Sequence, residues 1–161
     1  MTTLPRILLV EDDPADMRLT LEVLRELNLA DQVVIVTDGV EAADFLGARN
    51  AFQDRPPGNP AIVLLDLKLP RVDGLEVLAM LKGDPLQRCI PVVCLTSSRE
   101  DRDLRRAYEL GANGYVVKTI DFEEYTASIR ALGTFWAITN EPPPGSLPKP
   151  RGVQQKPQSS N

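Results

Sequence analysis

Five places along this chain carry groups able to do chemistry, and each directly follows a short apolar run. Glu11-Asp12-Asp13 follows Ile7 to Val10, Thr37-Asp38 follows Val33 to Val36, and Asp66 follows Ile62 to Leu65. Thr96-Ser97-Ser98 follows Val92 to Leu95, and Lys118-Thr119 follows Tyr115 to Val117. A single carboxylate such as Asp66, beside Pro70 and Gly74, is by itself no more than a polar residue opening a turn. Several carboxylates delivered to one place repel one another unless they are protonated, solvated or neutralised by a cation. A hard divalent ion answers that repulsion, and Mg2+, which keeps several waters and takes one or two carboxylates, suits such a group best. Lys118 can add positive charge beside Asp66 and keep it ionised. An ionised, oriented carboxylate is a nucleophile toward phosphorus, forming an aspartyl phosphate whose oxygens a metal and a lysine would stabilise. Thr96 can donate a hydrogen bond to the same phosphoryl group.

The elements that must bring these groups together can be read from the spacing of apolar residues. The five runs are short and β-branched, as strands buried on both faces are. Helical segments separate them. Asp13-Pro14 is a good N-cap and first residue for a helix carrying Met17, Leu21, Leu24 and Leu27. Asp38-Gly39 opens a second helix through Leu46, Leu75 to Leu81 is a third, Asp101 to Leu110 a fourth, and Phe122 to about Ala137 a fifth. Strand and helix alternate throughout, which predicts an α/β domain with a doubly wound, five-stranded parallel sheet and right-handed crossovers. Ligands bind such sheets outside the carboxyl ends of the strands. That edge is where the acids, the hydroxyl and the lysine fall.

Composition narrows the function. With 161 residues and 43% hydrophobic content the chain is of single-domain size and can bury a core. Its net charge of −5, from 18 basic and 23 acidic residues, gives no broad attraction for nucleic acid or an anionic membrane. The start, MTTLPRILLVEDDP, lacks a basic region leading into an apolar core, and no apolar run approaches membrane-spanning length, so a cytoplasmic protein is expected. There is no histidine, which excludes imidazole general-base catalysis by the chain's own residues. The two cysteines, Cys89 and Cys94, are too few for a disulfide framework and are expected as buried free thiols.

With ILLVEDDP, LLDLKLPRVDG, VVCLTSS and GANGYVVK in this order, the chain resembles the receiver domain of two-component response regulators. The resemblance covers about residues 5 to 138. It implies a flavodoxin-like sheet in the order 2-1-3-4-5, with Asp66 phosphorylated by a sensor histidine kinase and Glu11 and Asp12 forming an acidic pocket. It also implies that the Lys68 carbonyl completes the Mg2+ site, that Thr96 and Tyr115 are switch residues, and that Lys118 contacts the phosphoryl group. Output would run through the surface of the fourth helix, fifth strand and fifth helix, with no enzymatic activity beyond the domain's own phosphorylation and dephosphorylation. One departure stands out: the family usually has proline after the lysine, where this chain has Thr119.

Other readings stand beside these. Asp13 can simply cap a helix, Thr96 can be a strand-end hydroxyl, and Tyr115 in a β-branched strand is equally ordinary core. The fifth helix spaces Phe122, Tyr125, Ile129, Leu132 and Trp136 as one core-facing stripe, and Phe135 falls off that stripe. Large aromatics beyond one core face suggest a homodimer or kinase interface at Phe135 and Trp136. The FW pair and the polar insertion from Ala48 to Pro60 resemble single-domain regulators paired with bacterial phytochrome histidine kinases. After a receiver unit over residues 1–139, the segment 140–161, with six prolines in its last 21 residues, is expected as a disordered tail. A phosphorylation-independent scaffold, or a small Mg2+-dependent phosphatase, would also suit the fold. The chain contains no GxxxxGK[ST] or GxGxxG phosphate loop.

Overall fold

A computed structural model describes residues 4–150. Five strands, β1 (Ile7–Val10), β2 (Val33–Val36), β3 (Ile62–Leu65), β4 (Val92–Thr96) and β5 (Gly114–Val117), form one parallel sheet in the order β2-β1-β3-β4-β5. Between and after them run α1 (Pro14–Glu26), α2 (Gly39–Leu46), α3 (Gly74–Gly83), α4 (Asp101–Glu109) and α5 (Phe122–Gly133). The predicted doubly wound architecture and strand order are those observed.

Strand alternation divides the core in two. Leu8, Val10, Val63, Leu65, Val92 and Cys94 face a layer built by α2, α3 and Ala107 of α4. Ile7, Leu9, Ile62, Leu64, Val93 and Leu95 face α1 and α5, where Val23, Leu24, Tyr125 and Ile129 pack. Side chains on a strand point alternately to opposite faces, so a sheet covered on both sides needs an apolar residue at every position.

The parallel register levels the strand ends. Val10 pairs with both Val36 and Leu65, Leu65 with Cys94, and Thr96 with Val117. Beyond the ladder the same alignment continues, with the Asp66 amide donating to the Val10 carbonyl at 3.0 Å and the Lys118 amide to the Thr96 carbonyl at 2.8 Å. Glu11, Asp66 and Lys118 are thereby set side by side on one rim.

The opposite rim is closed by a residue of the first strand's approach. Arg6 is completely buried, and its Nη1 donates to Gln32 Oε1 at 3.0 Å and to the Ala137 carbonyl at 2.9 Å. Its Nε donates to the Leu147 carbonyl at 3.4 Å.

Four sequence expectations change. The segment after residue 139 is not wholly disordered: Leu147 is buried, its amide donates to the Asn59 carbonyl at 2.8 Å, and the Asn59 amide donates to the Gly145 carbonyl at 2.9 Å. Proline abundance misled here because one leucine and two backbone bonds suffice to seat a short extended strap; residues 151–161 lie outside the described residues. The fifth helix turns into a π-helical stretch, Thr134–Thr139, after Gly133, whose bare Cα lets Leu24 and Leu27 of α1 and its C-cap approach closely. Phe122 is 65% exposed and does not share the core stripe of Tyr125 and Ile129, because as the first residue of α5 it faces solvent close to the exposed Ile120, beyond the end of β5. Cys94 is buried as expected, whereas Cys89, in the turn before β4, is exposed. If the strap is part of the folded unit, Leu147→Ala should lower the unfolding free energy by roughly 2 kcal/mol in a urea titration; an unfolded tail would leave the midpoint where it is.

Candidate functional site

Glu11, Asp12 and Asp66 each bring a carboxylate oxygen within 4.8 Å of the others. Glu11 and Asp66 are buried and Asp12 is exposed, so the group opens to solvent on one side. Lys118 reaches in from the end of β5. Its ammonium lies 2.6 Å from Glu11 Oε2, 3.0 Å from Asp16 Oδ2 and 3.1 Å from Asp66 Oδ2. These three bonds use all three of its N–H donors. A cleft of about 560 Å3, lined among others by Asp12, Asp16, Asp66, Lys68, Ser97 and Lys118, gives access from solvent.

Local backbone structure aims these groups. Asp13 caps α1 as expected, its Oδ1 accepting from the amides of Ala15 and Asp16 at 2.9 Å. The Asp13 amide in turn donates to Glu11 Oε1 at 3.0 Å, which orients that carboxylate. The loop after Asp66 doubles back tightly: the Lys68 amide donates to Asp66 Oδ1 at 3.2 Å, and the Gly74 amide to the Leu67 carbonyl at 3.0 Å. A Cβ on Gly74 would run into the Asp66 carbonyl oxygen, so the return of the chain into α3 requires glycine there. Arg71 sits in this loop at φ 64° and its guanidinium binds Asp38, the N-cap of α2. Asp38 thus braces the loop from outside the cleft and takes no place in the acidic group.

Electrostatics follow from this crowding. Burial pushes the Glu11 carboxyl up to about 7, against the opposing pull of its bond to Lys118. Burial draws the Lys118 ammonium down, but its bond to Glu11, the charges of Asp66 and Glu11 and its bond to Asp16 outweigh that and leave it above its ordinary value. Lys118 therefore stays charged, while a proton on Glu11 is easily displaced by a cation. The donor set, all carboxylate oxygen with a solvent-facing side, is what a hard divalent ion requires.

The other predicted residues fall into place unequally. Thr96 is fully buried, its Oγ1 accepting from the Ser98 amide at 3.3 Å, and it is Ser97 that lines the cleft. Tyr115 is half-buried against the α2–α4 core layer, and its hydroxyl donates to the Ser98 carbonyl at 3.0 Å. The Lys68 side chain is not simply solvated: its ammonium lies 3.5 Å from Asp103 Oδ2. The described residues contain no cis peptide bond, so Lys118–Thr119 is trans and the lysine reaches Asp66 without the usual proline. Phe135 is exposed and Trp136 half-buried, their rings edge to face at 4.9 Å.

Sequence reasoning missed two acids. Asp16 was not singled out, since an acid in the first turn of a helix is ordinarily just a favourable charge, although its position one turn after the Asp13 cap places it over the same rim. Asp103 is buried at the start of α4, accepts from Ser98 Oγ at 2.6 Å, and is held below the usual carboxylate range by that hydroxyl and by Lys68. Nothing in the local sequence distinguishes it from the exposed Asp101.

Comparison with known proteins bears on this arrangement. The sequence pattern of the response regulator receiver domain matches residues 7–130. Response regulator Rcp1 of Synechocystis is 39% identical over 133 residues, 83% of this chain and 89% of Rcp1. A structure of its Mn2+-bound form superposes with a TM-score of 0.79, covering 85% of this chain and 97% of that one. The phosphorylated cyanobacterial phytochrome response regulator RcpA is 36% identical with a TM-score of 0.81, covering 88% and 99% of the two chains. The bacteriophytochrome response regulator AtBRR is 55% identical with a TM-score of 0.68, covering 86% and 99%. Among the described residues no helix is long and apolar enough to cross a membrane. Sheet order, acidic group, lysine and these similarities lead to one conclusion: the chain belongs to the response regulator receiver domain family.

Proposed function

We propose that this protein is a phosphoacceptor that takes a phosphoryl group from a sensor histidine kinase onto Asp66. The observation that carries this is the contact of one buried ammonium, Lys118, with both Asp66 and Glu11 beside a solvent-facing cleft. Asp66 Oδ2 is the attacking oxygen. A new O–P bond forms on it while the P–N bond to the donor histidine breaks, and the leaving nitrogen keeps the bonding pair. Lys118, already bonded to Asp66, turns its N–H donors to the phosphoryl oxygens as the carboxylate charge moves onto them. Glu11, Asp12, Asp66 and the Lys68 carbonyl would hold Mg2+, which when bound neutralises charge on the phosphoryl oxygens.

Signalling then follows from bonds already in place. A phosphoryl oxygen over Asp66 offers the Thr96 hydroxyl an acceptor, and drawing that hydroxyl outward loosens its hold on the Ser98 amide. Ser98 also anchors Tyr115 through its carbonyl and α4 through Asp103, so the surface of α4, β5 and α5 shifts with it. The kinship with phytochrome response regulators supports a cytoplasmic phytochrome-type kinase as partner. The exposed Phe135, with Trp136 beside it, supports a homodimer contact at the end of α5. We assign no role toward nucleic acid or membrane.

Two measurements test this. Wild-type protein given acetyl phosphate and Mg2+ should gain one phosphate by intact mass, stable in acid and lost in base, while Asp66→Asn gains none. Wild type that binds Mg2+ yet stays unmodified would overturn the proposal. Because Glu11 titrates near 7, Mg2+ must displace its proton at lower pH. Affinity measured by calorimetry should be level above pH 8 and weaken up to about tenfold per unit below pH 7; a flat profile down to pH 5.5 would remove Glu11 from the metal site.

A further inference from the structure

The third carboxylate on Lys118 has no part in the phosphoacceptor chemistry just described. Asp16 lies outside the group of acids close enough to share a cation, which comprises Glu11, Asp12 and Asp66. Yet its Oδ2 is as near to the Lys118 ammonium as Asp66 is, 3.0 Å against 3.1 Å. Its backbone is fixed by the Asp13 cap, so its side chain extends over the cleft from the first turn of α1. It is also the most accessible of the three partners: its side chain is 36% exposed, against 2% for Glu11 and 9% for Asp66. Asp16 therefore meets the ammonium on its solvent side, where a phosphodonor arrives.

We propose that Asp16 is a positioning residue that restrains Lys118, competing with incoming phosphoryl oxygens for its N–H donors and so slowing the loading of Asp66. The inference rests on Asp66 being the phosphoacceptor. When a phosphoryl group reaches Asp66, the donor that Lys118 gave to Asp66 passes to a phosphoryl oxygen. A second phosphoryl oxygen can be served only at the expense of Glu11 or Asp16. Glu11 is buried and held by the Asp13 amide, whereas Asp16 can swing into water at little cost. Asp16 is thus the partner that must yield, and its charge meanwhile adds to the negative field that an incoming phosphoryl group meets at the cleft. An acid that merely favoured the start of α1 would have no such effect on rate.

The test uses the full chain with saturating Mg2+ and acetyl phosphate, following phosphate uptake by intact mass against time. Asp16→Asn should load roughly three- to tenfold faster than wild type, the partly exposed charge keeping the gain modest. Asp16→Glu, which keeps the charge, should stay near the wild-type rate. In a Lys118→Ala background the gain from Asp16→Asn should vanish, since the effect runs through the ammonium. Thermal melts of each variant confirm that the fold is kept, and an accelerated reaction is not what a damaged fold produces. Loading of Asp16→Asn at or below the wild-type rate, or a gain that survives without Lys118, overturns this inference while leaving Asp66 as the acceptor. Wild type that takes up no phosphate overturns the phosphoacceptor assignment itself.

Discussion

One ammonium facing three carboxylates is the constraint on which the rest of this molecule turns. Lys118 is almost enclosed, and a charge in that position is tolerable only because Glu11, Asp16 and Asp66 surround it. The acids need it equally, since without a cation two buried carboxylates side by side would drive at least one to take up a proton. The parallel register supplies the geometry. Val10 and Leu65 are paired, so Glu11 and Asp66 emerge level, and Lys118 follows Val117, which pairs with Thr96. No loop had to be folded specially to collect these groups, and a strand slipped by one residue would turn them away from the rim.

The loops are specialised for rigidity instead. Gly74 lets α3 begin against the Asp66 backbone, and Gly39 lets α2 begin against Val72 of the same loop. Arg71 ties that loop to Asp38. A carboxylate held this firmly presents its oxygen in one orientation, which is the positioning that a group transfer requires. The opposite loop, between β4 and α4, is built differently. Ser97 is exposed there, and Ser98 is linked by side chain and backbone to Asp103, Tyr115 and Thr96. Small hydroxyl groups rather than glycine contacts and an ion pair hold that side, so two differently built walls face each other across the same acid.

Legibility in the sequence followed the range of the interactions. The strands were readable because parallel β-structure buried on both faces demands unbroken apolar runs, and Asp66, Glu11 and Thr96 were readable as the first polar residues after them. Asp13 was legible as a cap because its partners are two and three residues away. Asp16 and Asp103 were not, since the partners that give them meaning, Lys118 and Lys68, lie in other loops and no local pattern points across the fold. Phe122 defeated helical periodicity for a different reason, whereas Phe135 falls off the core stripe as a rotation of about 100° per residue predicts and is exposed. Tyr125 and Ile129 meet the core at helical spacing, but Phe122, the first residue of the helix, lies beyond the end of β5 and faces solvent. The strap ending at Leu147 was hidden by its composition, which is that of a linker.

Arg6 shows how the far rim makes the charged rim affordable. A guanidinium buried without a carboxylate partner is costly, and here its Nη2 finds no acceptor among the described residues. Its other nitrogens gather the end of α5's π-helical extension, the turn before β2 and the strap, which lie far apart in the chain. Burial draws its guanidinium below the ordinary value, and Glu141, at the root of the strap, supplies the charge that partly opposes this. The cation thus closes the end of the sheet that carries no chemistry, joining the C-terminal segment to β1. Closure there leaves the carboxyl ends of the strands as the place where the chain's charges meet solvent across a cleft. The two ends answer one problem in opposite ways: at one a buried cation is satisfied mainly by backbone carbonyls, at the other by carboxylates beside a solvent-facing cleft.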